Sequence, residues 1–126
     1  MSAGRYSFTI EQGSTLSFQL QYKDDTGTPI NLSNYGGRMQ IRPSVASTTV
    51  YLSLSSSLQA DGTGLNFSGS NGSTPPTSGS IGLYISAATS SLLTFDTAVY
   101  DLEIYSGSIV NRILEGQIKL SKEVTR

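Results

Sequence analysis

Three residue types are missing from this 126-residue chain: there is no cysteine, no histidine and no tryptophan. Without cysteine there is no disulfide framework, no thiolate nucleophile and no thiolate metal site. Without histidine there is no histidine-based triad and none of the usual zinc chemistry. Charge is scarce as well. Asp, Glu, Lys and Arg make up 13% of the chain, about half of the usual quarter. The eight basic residues are spread from Arg5 to Arg126, and the formal net charge is −1. No group of them would neutralise a run of phosphates, so nucleic acid is not an expected partner. No apolar run approaches the roughly 18 residues of a membrane span, and none follows Met1. Neither a membrane partner nor a signal peptide is expected.

What remains fits a single domain over residues 1–126, large enough to bury a core without disulfides or metal. Hydrophobic residues are 37% of the chain, which with so little charge argues against disorder. Serine and threonine number 35. They supply polarity without charge, which suits exposed strand faces and long turns. A near-neutral surface guards weakly against association, and a protein that lives in an assembly tolerates that.

Alternation with a period of two dominates, and successive strand side chains point to opposite faces. Tyr6, Phe8 and Ile10 alternate with polar residues. Leu16, Phe18, Leu20 and Tyr22 follow after Gly13. Asp24-Asp25-Thr26-Gly27 reads as a turn, and Ile30 and Leu32 as a cover over one end of the core. Met39 and Ile41 face inward from a strand near 37–42, with Arg38, Gln40 and Arg42 outward. Pro43 ends that strand. Val50, Leu52 and Leu54 mark the next, Leu65 and Phe67 a short one, and Ile81, Leu83 and Ile85 another. Ser86 caps a helical turn running to Leu93, with Leu92 and Leu93 sealing the core edge. Ala98, Tyr100, Leu102 and Ile104 face inward, with Asp101, Glu103 and Tyr105 outside. After Gly107 a last strand runs from Ile109 to Leu120, with Gly116 a bulge or bend. The pattern predicts an all-β, antiparallel sandwich of seven to nine strands. Phe8, Leu16, Phe18, Leu20, Met39, Ile41, Leu83, Tyr100, Leu102 and Ile104 are its expected buried set.

No constellation of residues carries chemistry. Asp24 and Asp25 lack the alternating oxygen ligands and distal bidentate Glu of a calcium loop, so they read as turn residues. Asp101 and Glu103 are neighbours on one strand face, whereas a glycosidase pair stands across a cleft. They read as a solvated surface or a contact to a partner's arginine. Gly62-Thr63-Gly64 lacks the Lys and helix of a phosphate loop. The sequons at Asn31, Asn66 and Asn71 are chance matches in a chain this rich in serine. Residues 68–80 read as a long flexible hairpin loop, with Pro75-Pro76 stiffened as polyproline II, open to either solvation or recognition. No catalytic, cofactor-binding or metal-binding residue is assigned, no cofactor is expected, and the chain is not expected to be an enzyme or to bind a small molecule.

Four segments, taken in order, resemble a known architecture. Glu11 to Thr15 opens the second strand. Asp25 to Tyr35 leads into Met39-Gln40-Ile41-Arg42. Ala98-Val99-Tyr100-Asp101-Leu102-Glu103-Ile104 follows the Thr89–Phe95 segment. Arg112-Ile113-Leu114-Glu115-Gly116 precedes Ser121 to Arg126. This order resembles the immunoglobulin-like β-sandwich domains of tailed-bacteriophage virion proteins, and is most similar to those that open upper baseplate and tail-fibre proteins. The resemblance implies a structural virion protein, a tail, baseplate or fibre-attachment adaptor. It would be assembled in the bacterial cytoplasm and docked in multiple copies to other virion proteins in a symmetric particle. A capsid decoration protein and a host-surface glycan-binding module are the alternatives. A glycan platform would have to use the seven tyrosines, several of which the core alternation claims.

Overall fold

The computed structural model describes residues 4–23, 26–69 and 76–124. Among them are nine strands and one short helix. In chain order these are β1 (Gly4–Arg5), β2 (Phe8–Glu11), β3 (Leu16–Gln21), β4 (Gly36–Arg42), β5 (Leu52–Ser55), β6 (Gly64–Asn66), β7 (Ser80–Ile85), α1 (Ala87–Ser90), β8 (Thr97–Ser106) and β9 (Ile109–Ser121). A six-stranded sheet runs β1-β9-β8-β4-β5, with β2 also pairing β9, and a three-stranded sheet runs β3-β7-β6. Neighbouring strands are antiparallel except β1 and β2, which run parallel to β9. The expected antiparallel sandwich therefore has a parallel strip along one edge.

The core lies between the sheets. Ile10, Met39, Ile41, Leu54, Leu65, Ile81, Leu83, Ile85, Leu102, Ile104 and Ile118 are nearly solvent-free. Each occupies the inward position of its alternation, and burying such a side chain stabilises the fold by about 1.5–3 kcal/mol. Leu32 closes one end, as expected, and Ile30 packs against the core beside it. Phe8, Leu16, Phe18 and Leu20 depart from the expected burial. They face inward and touch the core but remain only half-buried. They line one margin of the sandwich, where Tyr6, Phe8 and Phe18 pack on one another and Tyr6 is itself largely open to solvent.

Smaller differences have local causes. Tyr6 lies between β1 and β2 and is 49% exposed. Val50 precedes β5, and Phe67 follows β6. Ser86 does cap α1, accepting a bond from the Thr89 amide at 3.1 Å. Leu93 seals the core edge, but Leu92, 79% exposed, points to solvent. Pro76–Ser78 is a turn of 3₁₀ helix, so Pro76 does not carry the expected polyproline II; Pro75 lies outside the described residues. Residues 68–69 and 76–80 carry the ends of the β6–β7 hairpin connection. The rest of that loop, Asn71 of the third sequon and the Asp24-Asp25 turn lie outside the described residues.

The irregularity expected at Gly116 falls elsewhere. Leu102 pairs with Leu114 but Glu103 with Arg112, so Ile113 is the extra residue of the strand. Such a bulge shifts the alternation by one position. It sends Arg112 outward beside Glu103 while Leu114, Ile118 and Leu120 keep facing the core. Gly116 meets a different need. A β-carbon there would collide with the Tyr6 carbonyl and crowd the Tyr100 ring, and the Tyr100 hydroxyl donates to that carbonyl at 2.5 Å. The absent side chain is what lets the N-terminal strand approach.

Candidate functional site

The outer face of the larger sheet gathers most of the charge that the strands carry. β4 contributes Arg38, Gln40 and Arg42; β8 contributes Asp101, Glu103 and Tyr105; β9 contributes Arg112, Glu115 and Gln117. Cross-strand register sets Gln40 opposite Asp101, Arg38 opposite Glu103, and Asp101 opposite Glu115. Arg38 Nε meets Glu103 Oε1 at 2.8 Å, and Arg112 Nε meets Asp101 Oδ2 at 3.4 Å. The Arg38 guanidinium also lies 5.1 Å from the Tyr105 ring centroid, within cation–π range. Arg42 donates to Gln40 Oε1 at 2.6 and 3.2 Å and to the Ser47 carbonyl at 2.7 Å. Arg38, Ser47 and Tyr105 excepted, these residues together with Arg5, Val45 and Val99 line a depression of about 590 Å³.

Asp101 sits at the centre of this face. Partial burial raises its carboxyl above the ordinary value, Glu103 and Glu115 add repulsion, and Arg112 and Arg42 oppose the rise. The like-charged Asp101–Glu115 pair is unfavourable in the free protein. The two carboxylates read from the sequence as a surface pair, Asp101 and Glu103, do share this face, and each is held by an arginine of its own chain. Small-molecule sites are mostly apolar with a few polar groups. This depression is lined chiefly by charged and amide side chains, with polar and apolar surface in near balance.

A second polar cluster went unread in the sequence. Asp61 accepts bonds from Ser86 Oγ at 2.6 Å, Thr89 Oγ1 at 2.8 Å and the Thr63 amide at 2.9 Å. The Ser86 amide in turn donates to Thr63 Oγ1 at 3.1 Å. These bonds, the one from Ser86 first, hold the Asp61 carboxyl well below the usual carboxylate range. A carboxylate so stabilised is a poor proton acceptor. The cluster ties the β5–β6 crossover to α1. The clue lay in Asp61-Gly62-Thr63, an aspartate accepting from the amide two residues on; the phosphate-loop reading of Gly62-Thr63-Gly64 starts one residue too late to include the aspartate. The two described sequons follow the same rule. Asn31 accepts from the Ser33 amide at 2.9 Å and Asn66 from the Ser68 amide at 2.8 Å.

Of the tyrosines weighed as a glycan platform, Tyr100 is buried, Tyr51 stacks on Phe95 at 4.8 Å and Tyr105 lies under Arg38. No group of three or more Asp or Glu converges as a metal site among the described residues.

The two-sheet arrangement, with β3, β7 and β6 facing β9, β8, β4 and β5, defines an immunoglobulin-like β-sandwich. No family model matches the sequence, and no curated protein matches it. Among solved structures, the chain is similar in fold to a chicken TCR crystal structure, at 12% sequence identity and a TM-score of 0.51. The match covers 94% of this chain and 54% of that one, so the chain spans about half the length of that neighbour. The likeness is one of fold. Antibody-type domains carry a tyrosine two residues before the second disulfide cysteine, its hydroxyl bonded to backbone a few residues upstream. Here Tyr100 stands two residues before the buried Leu102, and its hydroxyl bonds instead to Tyr6 on the opposite edge of β9.

Proposed function

We propose that this domain is a structural docking module of a tailed-bacteriophage particle, in the tail, baseplate or fibre-attachment region. One observation carries the reading. Three of the sequence segments behind the resemblance fall on adjoining strands: Met39–Arg42 on β4, Ala98–Ile104 on β8 and Arg112–Gly116 on β9. Segments far apart in sequence thus form one contiguous sheet surface. Its outward residues are the paired arginines and carboxylates described above. Such a face fixes orientation and register against a neighbouring subunit more than it supplies raw affinity. Repetition around a symmetric particle strengthens each modest contact.

The test is to purify intact particles of the phage that encodes the chain, detect it by mass spectrometry, and locate it in particle density. The expected result is the chain in stoichiometric amounts with the β4-β8-β9 face against another subunit. Density at the capsid surface would transfer the reading to a decoration protein. Absence from particles, with the chain found only in infected-cell lysate, overturns it.

A further inference from the structure

The first and last strands of the larger sheet are joined along the whole length they share. β1 and β2 run parallel to β9 at one constant offset, Gly4 opposite Leu114, Arg5 opposite Glu115 and Phe8 opposite Ile118. Backbone bonds extend the ladder beyond the strand limits. The Tyr6 amide donates to the Glu115 carbonyl and the Gln12 amide to the Ser121 carbonyl, both at 2.9 Å. Where the ladder breaks, side chains replace it. A regular parallel ladder would send the Gln117 amide to the Tyr6 carbonyl. That amide donates instead to Ser7 Oγ at 3.2 Å, and the Tyr6 carbonyl accepts from the Tyr100 hydroxyl at 2.5 Å. At the far end the Glu123 amide donates to Gln12 Oε1 at 2.9 Å, and Gln12 Nε2 donates to the Leu93 carbonyl at 2.6 Å. The seam therefore runs without a gap from Gly4 to Gln12 on one side and from Leu114 to Glu123 on the other.

We infer that this seam is a mechanical clasp, and that the domain serves as a link that carries tension between its two chain ends. The ground is geometric. The paired strands are parallel, so they enter the seam together, at Gly4 and Leu114, and leave it together, at Gln12 and Glu123. The N-terminal side of the chain enters at the first end, and the C-terminal side departs at the second. A pull on the two chain ends therefore draws β2 and β9 lengthwise past each other. The bonds between them lie across the line of pull, share the force and must fail together. A pull on both strands at one end would open the same bonds in succession, each bearing the whole force in its turn. The side-chain bonds matter for this reason: without them the seam has a gap at Tyr6 and Ser7 and frays at Gln12. Two of them also spread the force beyond β9. Tyr100 is buried on β8, which lies between β4 and β9, so its hydroxyl ties Tyr6 to the middle of the sheet. Gln12 ties the far end to the segment that follows α1. The inference goes beyond the docking reading and does not rest on it, since its test needs only the isolated chain.

The chain has no cysteine, so one introduced thiol supplies a single further attachment point. Ser108 is exposed in the turn just before β9, at the end where both strands enter the seam. Single-molecule stretching of Ser108→Cys compares two pulls on one protein, the first on both chain ends and the second on the N-terminus and the introduced thiol. Forced unfolding reports the rate of crossing the barrier and not the equilibrium stability, so the two directions can differ in a chain of one stability. The end-to-end pull is expected to need severalfold more force. Tyr100→Phe and Gln12→Ala, each added to Ser108→Cys, are expected to lower that force and to leave the second pull unchanged. Equal forces in the two directions overturn the inference. So does an end-to-end force that either substitution leaves unchanged. A loss of the same size in both directions overturns it as well, by marking the substitution as a general destabilisation. Should Tyr100→Phe fail to fold, Gln12→Ala and the comparison of directions still decide.

Discussion

Leu102 and Phe18 occupy equivalent places in their alternations, yet Leu102 is solvent-free and Phe18 half-buried. Leu102 lies on β8, which has β4 on one side and β9 on the other. Phe18 lies on β3, which has only β7. Alternation assigns a face; depth depends on what else covers the position, since Ile10, Leu54 and Leu65, on strands with one neighbour, are as solvent-free as Leu102. The first comes from the local pattern, and the second requires knowing what packs over each position from the facing sheet and the loops. The same contrast separates the middle of the larger sheet, where β4, β8 and β9 present an ordered polar face, from its N-terminal margin, where backbone groups and aromatic rings face solvent together.

The contrast predicts unequal costs of truncation. Leu102→Ala leaves a cavity enclosed on both sides and is expected to destabilise by about 2–5 kcal/mol. Phe18→Ala removes more atoms but from a half-open site, and about 1–3 kcal/mol is expected because less apolar surface returns to water. Chemical denaturation of both variants measures the difference. Equal losses would mean that the seam is as well covered as the core.

Attachment of the margin can be probed separately. Gly116→Ala places a methyl group against the Tyr6 carbonyl, and an overpacked site of this kind costs about 1–3 kcal/mol. The loss should be local. Hydrogen exchange is expected to rise at the Tyr6 and Gln12 amides while the Met39 and Leu102 amides stay protected. A uniform rise across both sheets would show that the N-terminal strand folds as one unit with the core.

Much of the fold is legible in the residues, and the limits are physical. Met39, Ile41, Leu83, Tyr100, Leu102 and Ile104 are buried as their spacing requires, because a strand side chain has only two directions. The sandwich class followed from short strands separated by turns. The bulge at Ile113 was not legible: its sequence, Arg112-Ile113-Leu114, contains no glycine to mark an extra residue, and Gly116 drew attention to the wrong place. The parallel pairing of β1 and β2 with β9 joins segments more than a hundred positions apart, which no local pattern specifies. For the candidate face, Asp101 and Glu103 were readable as outward neighbours. Their pairing with Arg112 and Arg38 depended on the bulge and on cross-strand register. Asp61 was missed because its partners Ser86 and Thr89 are distant in sequence.

The smallest expected effect concerns Asp101, and its sign is informative. Its carboxyl titrates above the ordinary Asp value, with burial the largest cause and Glu103 next. A carboxyl raised in this way binds protons more readily in the folded state than in the unfolded one. Stability then falls as pH rises through the interval between the ordinary and the raised value, and this part of the loss persists at neutral pH. Asp61 acts in the opposite sense, since its lowered carboxyl supports the fold above the ordinary Asp value and ceases to do so as pH falls below it. Asp101→Asn removes the repulsion with Glu103 and Glu115 but also the ion pair with Arg112. Because the Asp101 side chain is 42% exposed, solvent screening keeps the net gain at neutral pH below about 1 kcal/mol. Melting temperatures of the wild type and Asp101→Asn across acid to neutral pH would reveal it. The variant is expected to be the more stable at neutral pH, with the advantage shrinking as Asp101 of the wild type protonates. A variant less stable than wild type at neutral pH would show that the Arg112 pair outweighs the crowding, and would make the outer face a self-sufficient ladder with no repulsion left for a partner to relieve.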